Sequence, residues 1–272
     1  FHQTYLGGGF GRRGSPSHII EAAEIAKAIG KPIQLVWTRE DDIQQGPFRP
    51  ASLMRIKAGI DNDGNLIAWD AARAGADISP DTFRSLLPAL YSWMGDGMIE
   101  GVANLSEWYF EKFATDESST EGLFEDYDHP NTRVTHMTVD HELPMTFWRS
   151  VGHSYTAFAK ESMIDEMAEA AGMDEVAFRL QNTQNTPRLN NVIRVAGEHM
   201  AKMNPPEGHH LGFAAHHSFY TDVAEIAEVS VENGKIRVHK VTCVLDCGQA
   251  VNPDIVRSQI EGGVIYGLTA TL

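Results

Sequence analysis

The sequence is poor in cysteine, short of positive charge, and has no apolar run of the length that crosses a bilayer. Two cysteines, Cys243 and Cys247, exclude a disulfide scaffold, and on a strand residues four apart share a face with their Cα atoms too distant for an easy bridge. Buried thiols are their expected role. Lys+Arg 22 against Asp+Glu 37 gives a formal net charge of -15, which excludes phosphate-backbone affinity or an anionic membrane surface as the main attraction. Nucleic acid is set aside. No secretory leader pattern opens the chain, which starts at Phe1 without an initiator Met and ends at Leu272 inside an apolar helix-like stretch. It therefore reads as an excerpt of a longer polypeptide, and the compartment, periplasm or cytoplasm, stays open.

Glycine, by contrast, is concentrated. Gly7-Gly8-Gly9-Phe10-Gly11-Arg12-Arg13 stands between a β-like run, His2-Gln3-Thr4-Tyr5-Leu6, and a strongly helical segment. Without Cβ atoms such a loop lays its backbone N–H groups bare against an anion or a cofactor, and positive φ costs nothing there. Ser15-Pro16-Ser17 offers capping hydroxyls and a helix-start proline, after which Ile19, Ala22, Ala23, Ala26 and Ile29 recur at helical spacing up to Gly30. Ile33 to Thr38 predicts a strand. Ala51 to Ile60 and Leu66 to Gly75 predict a hairpin about Asp61-Asn62-Asp63-Gly64-Asn65, a turn that imitates half a calcium loop but lacks its later ligands and closing Glu. Aromatic-bearing helices over 80–113, an acidic loop over 115–128, a strand over 132–139, a helix reaching Gly172 and another capped by Asp174 follow. The polar stretch 182–188, with Pro187, is the expected domain boundary, separating 1–186 from 187–272. Beyond it come a helix over 189–203, a long hairpin with arms 223–231 and 235–245 turned at Glu232-Asn233-Gly234, and an apolar helix over 255–272.

Three motifs carry chemistry. Gly9-Phe10-Gly11-Arg12-Arg13-Gly14 satisfies G-x-G-x-x-G in a strand, loop, helix, strand frame, with Glu40, Asp41 and Asp42 past the second strand, so a Rossmann NAD(P) site is one reading. Against it, Ser15-Pro16-Ser17 starts the helix only after Gly14, whereas that fold begins its helix within the glycines. A tight turn accounts for one or two of the glycines. In Phe147-Trp148-Arg149-Ser150-Val151-Gly152 the Arg149 guanidinium offers a fixed fork of donors to an oxyanion or oxo group, or else stacks on Trp148. Gln259-Ile260-Glu261-Gly262-Gly263 places two glycines inside an apolar helix, each costing about 1 kcal/mol, so either a ligand or a packed helix approaches closely there. The pairs His209-His210 and His216-His217 point to opposite faces of a strand and do not easily share an ion, and no protein metal ligand is expected.

Taken in order, the glycine loop, Lys31-Pro32 through Val36-Trp37-Thr38-Arg39-Glu40-Asp41-Asp42, Phe147 to Ser154 with Glu161-Ser162, and Asp246-Cys247-Gly248 through Asn252-Pro253 to Gln259-Ile260-Glu261-Gly262-Gly263 resemble the xanthine dehydrogenase family. The branch they look most like is the large polypeptide of isoquinoline 1-oxidoreductase and its membrane-associated aldehyde dehydrogenase relatives, and Arg12-Arg13 favours that branch. The resemblance covers nearly the whole chain. It implies an α+β fold of two molybdopterin-binding portions, 1–186 and 187–272, with mixed sheets, packed helices and a truncated second portion. It implies a molybdenum hydroxylase acting on N-heteroaromatic compounds or aldehydes, with molybdopterin cytosine dinucleotide as cofactor and [2Fe-2S] clusters on a small partner subunit. Membrane association would then come only through a missing segment or an electron-acceptor subunit. Carried over, Gly8, Gly9, Phe10 and Gly11 would lie against the pterin, Arg149 with Ser150 and Val151 would hold the oxygen side of the metal or the substrate, and Gln259 would touch the pterin. A Gly-Gln-Gly cofactor loop upstream of Phe1 and a Gly-Glu-Pro segment beyond Leu272, with its general-base glutamate, are expected outside the chain, leaving it catalytically incomplete. A noncatalytic interaction module on the same fold is the remaining alternative.

Overall fold

Local signals account for most of the elements in the computed structural model, which describes residues 5, 7–91, 93–139 and 143–272. The opening β-like run, Tyr5 apart, lies outside the described residues. In chain order the elements are α1 (Ser17–Ile29), α2 (Arg39–Gln45), β1 (Ser52–Ile60), β2 (Leu66–Gly75), α3 (Ser79–Leu90), α4 (Asp96–Lys112), α5 (Glu117–Thr120), β3 (Asn131–Thr138), α6 (His153–Ala171), α7 (Glu175–Gln181), α8 (Pro187–Met200), β4 (His209–Ser218), β5 (Thr221–Glu232), β6 (Lys235–Asp246) and α9 (Pro253–Thr271). Two compact units result: Phe1–Arg55, Ala71–Glu121 and Val134–Thr156 form one, and Ile56–Asp70, Gly122–Arg133 and Ala157–Leu272 form the other. Strands pair in the orders β1-β2-β3 and β4-β5-β6.

In the first unit, α1 starts behind Pro16 without a side-chain cap and stops at Gly30, which adopts the left-handed conformation that glycine tolerates. The expected strand over 33–38 does not form. Ile33, Leu35 and Trp37 are half-buried and their neighbours exposed, so the alternation is real, yet no strand pairs with the segment among the described residues. Alternation selects a face, but a strand also needs a ladder partner. The acidic cluster beyond it opens α2 instead, where Thr38 and Asp41 form a capping box, with the Asp41 N–H donating to Thr38 Oγ1 at 3.1 Å and the Thr38 N–H to Asp41 Oδ2 at 3.0 Å. Among the described residues the second strand of a Rossmann frame is therefore absent, and that reading loses its support. Helix α3 is capped by Asp116, whose carboxylate accepts from the Ile78 and Ser79 N–H groups at 2.8 and 3.2 Å.

In the second unit the spacing Leu189, Val192, Ile193, Ala196 places one stripe of α8 on the sheet, packed on Phe213, Ala215, Ala224 and Ile226. Burying each large aliphatic side chain there contributes about 1.5–3 kcal/mol. Asp174 caps α7 through the Val176 and Ala177 N–H groups, as its position predicts. The β5-β6 turn is Asn233-Gly234, both left-handed, as a two-residue hairpin requires. Strand β4 enters the sequence reading only as the strand assumed for its histidine pairs, without bounds or a turn. Its turn into β5, Phe219-Tyr220, is also left-handed at both residues, φ 46° and 63°, and aromatics do not signal such a turn. The paired histidines of β4 have separate partners: His209 Nδ1 lies 2.7 Å from Glu228 Oε1, and His217 Nδ1 2.9 Å from Asp222 Oδ1.

Cys243 lies in β6 opposite Glu225, whereas Cys247 falls beyond the strand, and both thiols are free and half-buried. Burial, then the Glu225 carboxylate 3.4 Å from Sγ, pushes the Cys243 thiol up to about 12. Because the thiolate is the nucleophile, Cys243 is expected to react with iodoacetamide at pH 8 about tenfold or more slowly than free cysteine. Peptide mapping of a labelling time course checks this, and labelling at the free-cysteine rate would contradict it.

Candidate functional site

The glycine loop bends in ways few residues other than glycine permit. Gly8 and Gly11 have φ of 144° and 76°, Phe10 between them has 52°, and a single 3₁₀ turn, Arg12–Gly14, then precedes α1. The loop lies backbone against backbone on the Phe147 segment. A Cβ on Gly11 would stand 2.4 Å from the Phe147 carbonyl oxygen and 2.7 Å from its carbon. At Gly7 and Gly9 the geometry is the reverse: a Cβ would meet no atom of the described residues within 4 Å. Packing demands the glycine at 11, and it demands neither of the other two. Two of the three sequence motifs therefore meet within the first unit, across more than a hundred residues of chain.

The meeting point is capped by a side-chain pair. The Arg149 guanidinium stands over the exposed Phe10 ring, 5.5 Å from its centroid. Arg149 is held there by an unusual turn. The Val151 N–H donates to the Trp148 carbonyl at 2.7 Å, and Ser150 and Val151 follow each other in the left-handed region with φ 70° and 43°. Such conformations cost about 1–2 kcal/mol per non-glycine residue, and the β-branched Val151 is the least suited to them. Gly152 completes the turn. Its N–H donates to Glu121 Oε1 at 3.0 Å, and a Cβ there would stand 2.7 Å from the Ser118 carbonyl oxygen. Sequence reasoning missed both Glu121 and Arg49, whose guanidinium holds the carbonyls of Arg149 and Val151. The only local hint was Arg49 set between Pro47-Phe48 and Pro50.

In a chain of net charge -15, Arg12 and Arg13 follow directly on the loop and Arg149 stands over Phe10. Arg12 reaches Asp42 at 3.7 Å, while its buried Nε has no hydrogen-bond partner among the described residues. Burial, then the two guanidinium groups of Arg12 and Arg13, hold the His18 imidazole below its ordinary value. Bare loop amides, an orphaned guanidinium nitrogen and a second guanidinium over an aromatic ring together suit an anionic, flat-bodied ligand. Gln259 is exposed on α9 and belongs to the second unit. A Cβ on Gly262 would meet nothing within 4 Å among the described residues.

Comparison with known proteins agrees with the segment order. A family model described as molybdopterin cofactor-binding domain matches residues 1–77 and 107–183, and a second of the same description matches 146–272. The chain is 32% identical to the beta subunit of isoquinoline 1-oxidoreductase from Brevundimonas diminuta over 100% of its own length and 33% of that protein. It is 28% identical to a membrane-bound aldehyde dehydrogenase of Gluconacetobacter polyoxogenes over 98% of its length and 35% of that protein. In fold it resembles the aldehyde oxidoreductase from Desulfovibrio gigas, with a TM-score of 0.55 and 21% identity over 86% of this chain and 26% of that one. The chain thus spans between about a quarter and about a third of the length of these relatives.

Proposed function

The chain belongs to the molybdopterin cofactor-binding family, of the xanthine dehydrogenase type, and on that premise we propose that it is part of the catalytic subunit of a molybdenum hydroxylase. Its substrate is an N-heteroaromatic compound or an aldehyde, and water is the oxygen source. The cofactor is the cytosine dinucleotide form, and the electrons leave through a small [2Fe-2S] partner subunit. The likeness to the isoquinoline 1-oxidoreductase polypeptide supports this branch of the family. When bound, the molybdenum centre supplies the two-electron redox chemistry.

The observation that carries the reading is the junction of Gly11 with Phe147, with Arg149 standing over Phe10. The residues present fit the cofactor. The open faces of Gly7 and Gly9 leave room for a pterin against the backbone of Gly8, Gly9, Phe10 and Gly11, and Arg12 Nε offers an unmatched donor to an anion. Arg149 presents a permanent cation and a fork of donors to an oxygen atom at the reacting end, flanked by the Ser150 and Val151 backbone.

Arg149→Ala in the holoprotein tests the assignment. Loss of one fixed donor of this kind is expected to lower turnover by about 10²–10³-fold while the variant still folds. Metal analysis of the wild-type protein comes first: nicotinamide in place of molybdenum would overturn the reading. Molybdenum with unchanged turnover in the variant would instead make this surface a scaffold.

A further inference from the structure

We propose that Arg49 is a positioning residue for Arg149, a role that rests on the function proposed above. Its guanidinium fork grips the backbone on both sides of the strained turn. Nη2 donates to the Arg149 carbonyl at 2.7 Å, and Nη1 donates to the Val151 carbonyl at 2.7 Å and to Ser154 Oγ at 2.5 Å. The two carbonyls flank Ser150, so one rigid planar group fixes the orientation of both peptides around the left-handed pair. From the far end of the turn, Glu121 accepts the Gly152 N–H. The direction in which the Arg149 side chain leaves the backbone is set by these peptides.

Arg49 is itself anchored. Phe48 bridges to Met145 in parallel fashion, its N–H donating to the Pro144 carbonyl at 2.8 Å and its carbonyl accepting from the Thr146 N–H at 3.3 Å. Pro50 restricts the backbone of Arg49 from the other side. The guanidinium is therefore delivered from a fixed segment to a turn whose backbone conformation is intrinsically unfavourable. A lysine at 49 keeps the charge, but as a point donor it cannot hold two carbonyls at fixed angles.

The test uses the holoprotein with Arg49→Met, Arg49→Lys and the milder Ser154→Ala, and reads molybdenum per polypeptide, the Mo(V) paramagnetic resonance spectrum and the thermal midpoint. Arg49→Met and Arg49→Lys are expected to lower molybdenum content about threefold or more and to shift or broaden the spectrum. Ser154→Ala, which removes the least of the grip, is expected to shift the spectrum less. A role in folding alone would move the thermal midpoint and leave the spectrum of the loaded fraction unchanged. Should Arg49→Met fail to fold, Arg49→Lys and Ser154→Ala carry the same comparison. Wild-type molybdenum content and spectrum in the lysine variant would overturn the role of Arg49 alone, whereas a wild-type protein without molybdenum would overturn the proposed function beneath it.

Discussion

Lys160→Met is expected to destabilise the protein by about 3–5 kcal/mol, because it strands a carboxylate inside the second unit. Lys160 lies on α6 with none of its surface exposed, ion-paired with Asp126, and its Nζ is 2.9 Å from His216 Nδ1 on β4. Next to it the Glu161 carboxylate is saturated, accepting from Tyr127 Oη at 2.9 Å, Arg179 Nε at 3.0 Å and the Ala215 N–H at 2.8 Å. A methionine fills the space of the lysine stem but leaves Asp126 charged and without its cation. Replacing both partners, Lys160→Met with Asp126→Leu, is expected to recover part of the loss, since no charge then remains unpaired. Denaturant midpoints of the wild-type, single and double variants check this. A single-variant cost below about 1 kcal/mol would mean that the pair is not buried as described.

The same cluster sets a pH dependence. Burial alone would raise the Asp126 carboxyl, but the Lys160 ammonium, with help from His216, holds it well below the usual carboxylate range. Burial and then Lys160 hold His216 below its ordinary value, so its ring stays neutral at pH 7. Both folded-state values lie below the unfolded ones. Their stabilisation is therefore complete above the ordinary histidine range and declines on acidification, first through His216 and then through Asp126. In Lys160→Met the carboxyl is no longer held down, so the gap between variant and wild type is expected to narrow as the pH falls from 7 towards 4. A gap independent of pH would show that the lost stability is packing and not charge.

The glycine loop supports the second large effect. Gly11→Ala puts a Cβ into the Phe147 carbonyl at 2.4 Å and forces a left-handed φ of 76° on alanine, with only backbone atoms to give way. A stability loss of about 1–3 kcal/mol and failure to retain molybdenum are expected together. Gly9→Ala separates the two. Its Cβ meets nothing within 4 Å among the described residues, so stability is expected to stay within about 0.5 kcal/mol of wild type, while a cofactor lying on that face would be displaced. Melting curves and metal analysis of both variants decide the matter: full molybdenum retention in Gly9→Ala would place the pterin elsewhere.

Much of the architecture was legible because its causes are local. The helix read over 189–203, the Asp174 cap and the Asn233-Gly234 turn each rest on signals within a few residues, and α8, α7 and the β5-β6 turn form there. The pairing of β4 with β5 was missed because Phe219-Tyr220 makes the turn without glycine or asparagine. The segment 33–38 was overread because alternation carries no information about a ladder partner. Asp116 caps α3 from a position well beyond that helix in the chain, which no window of local sequence contains.

Residue chemistry alone singled out the glycine-rich loop and the Arg149 segment as candidates, and motif order pointed to the family, since glycine clustering and motif order are written along the chain. Which atoms face one another was settled by folding. The Gly11 backbone on Phe147, the fork of Arg49 on the Arg149 turn and the burial of Lys160 against Asp126 all join positions distant in sequence. Contacts of that kind arise from how packed segments share space, and a free energy summed over distant pairs leaves no signature at any single position.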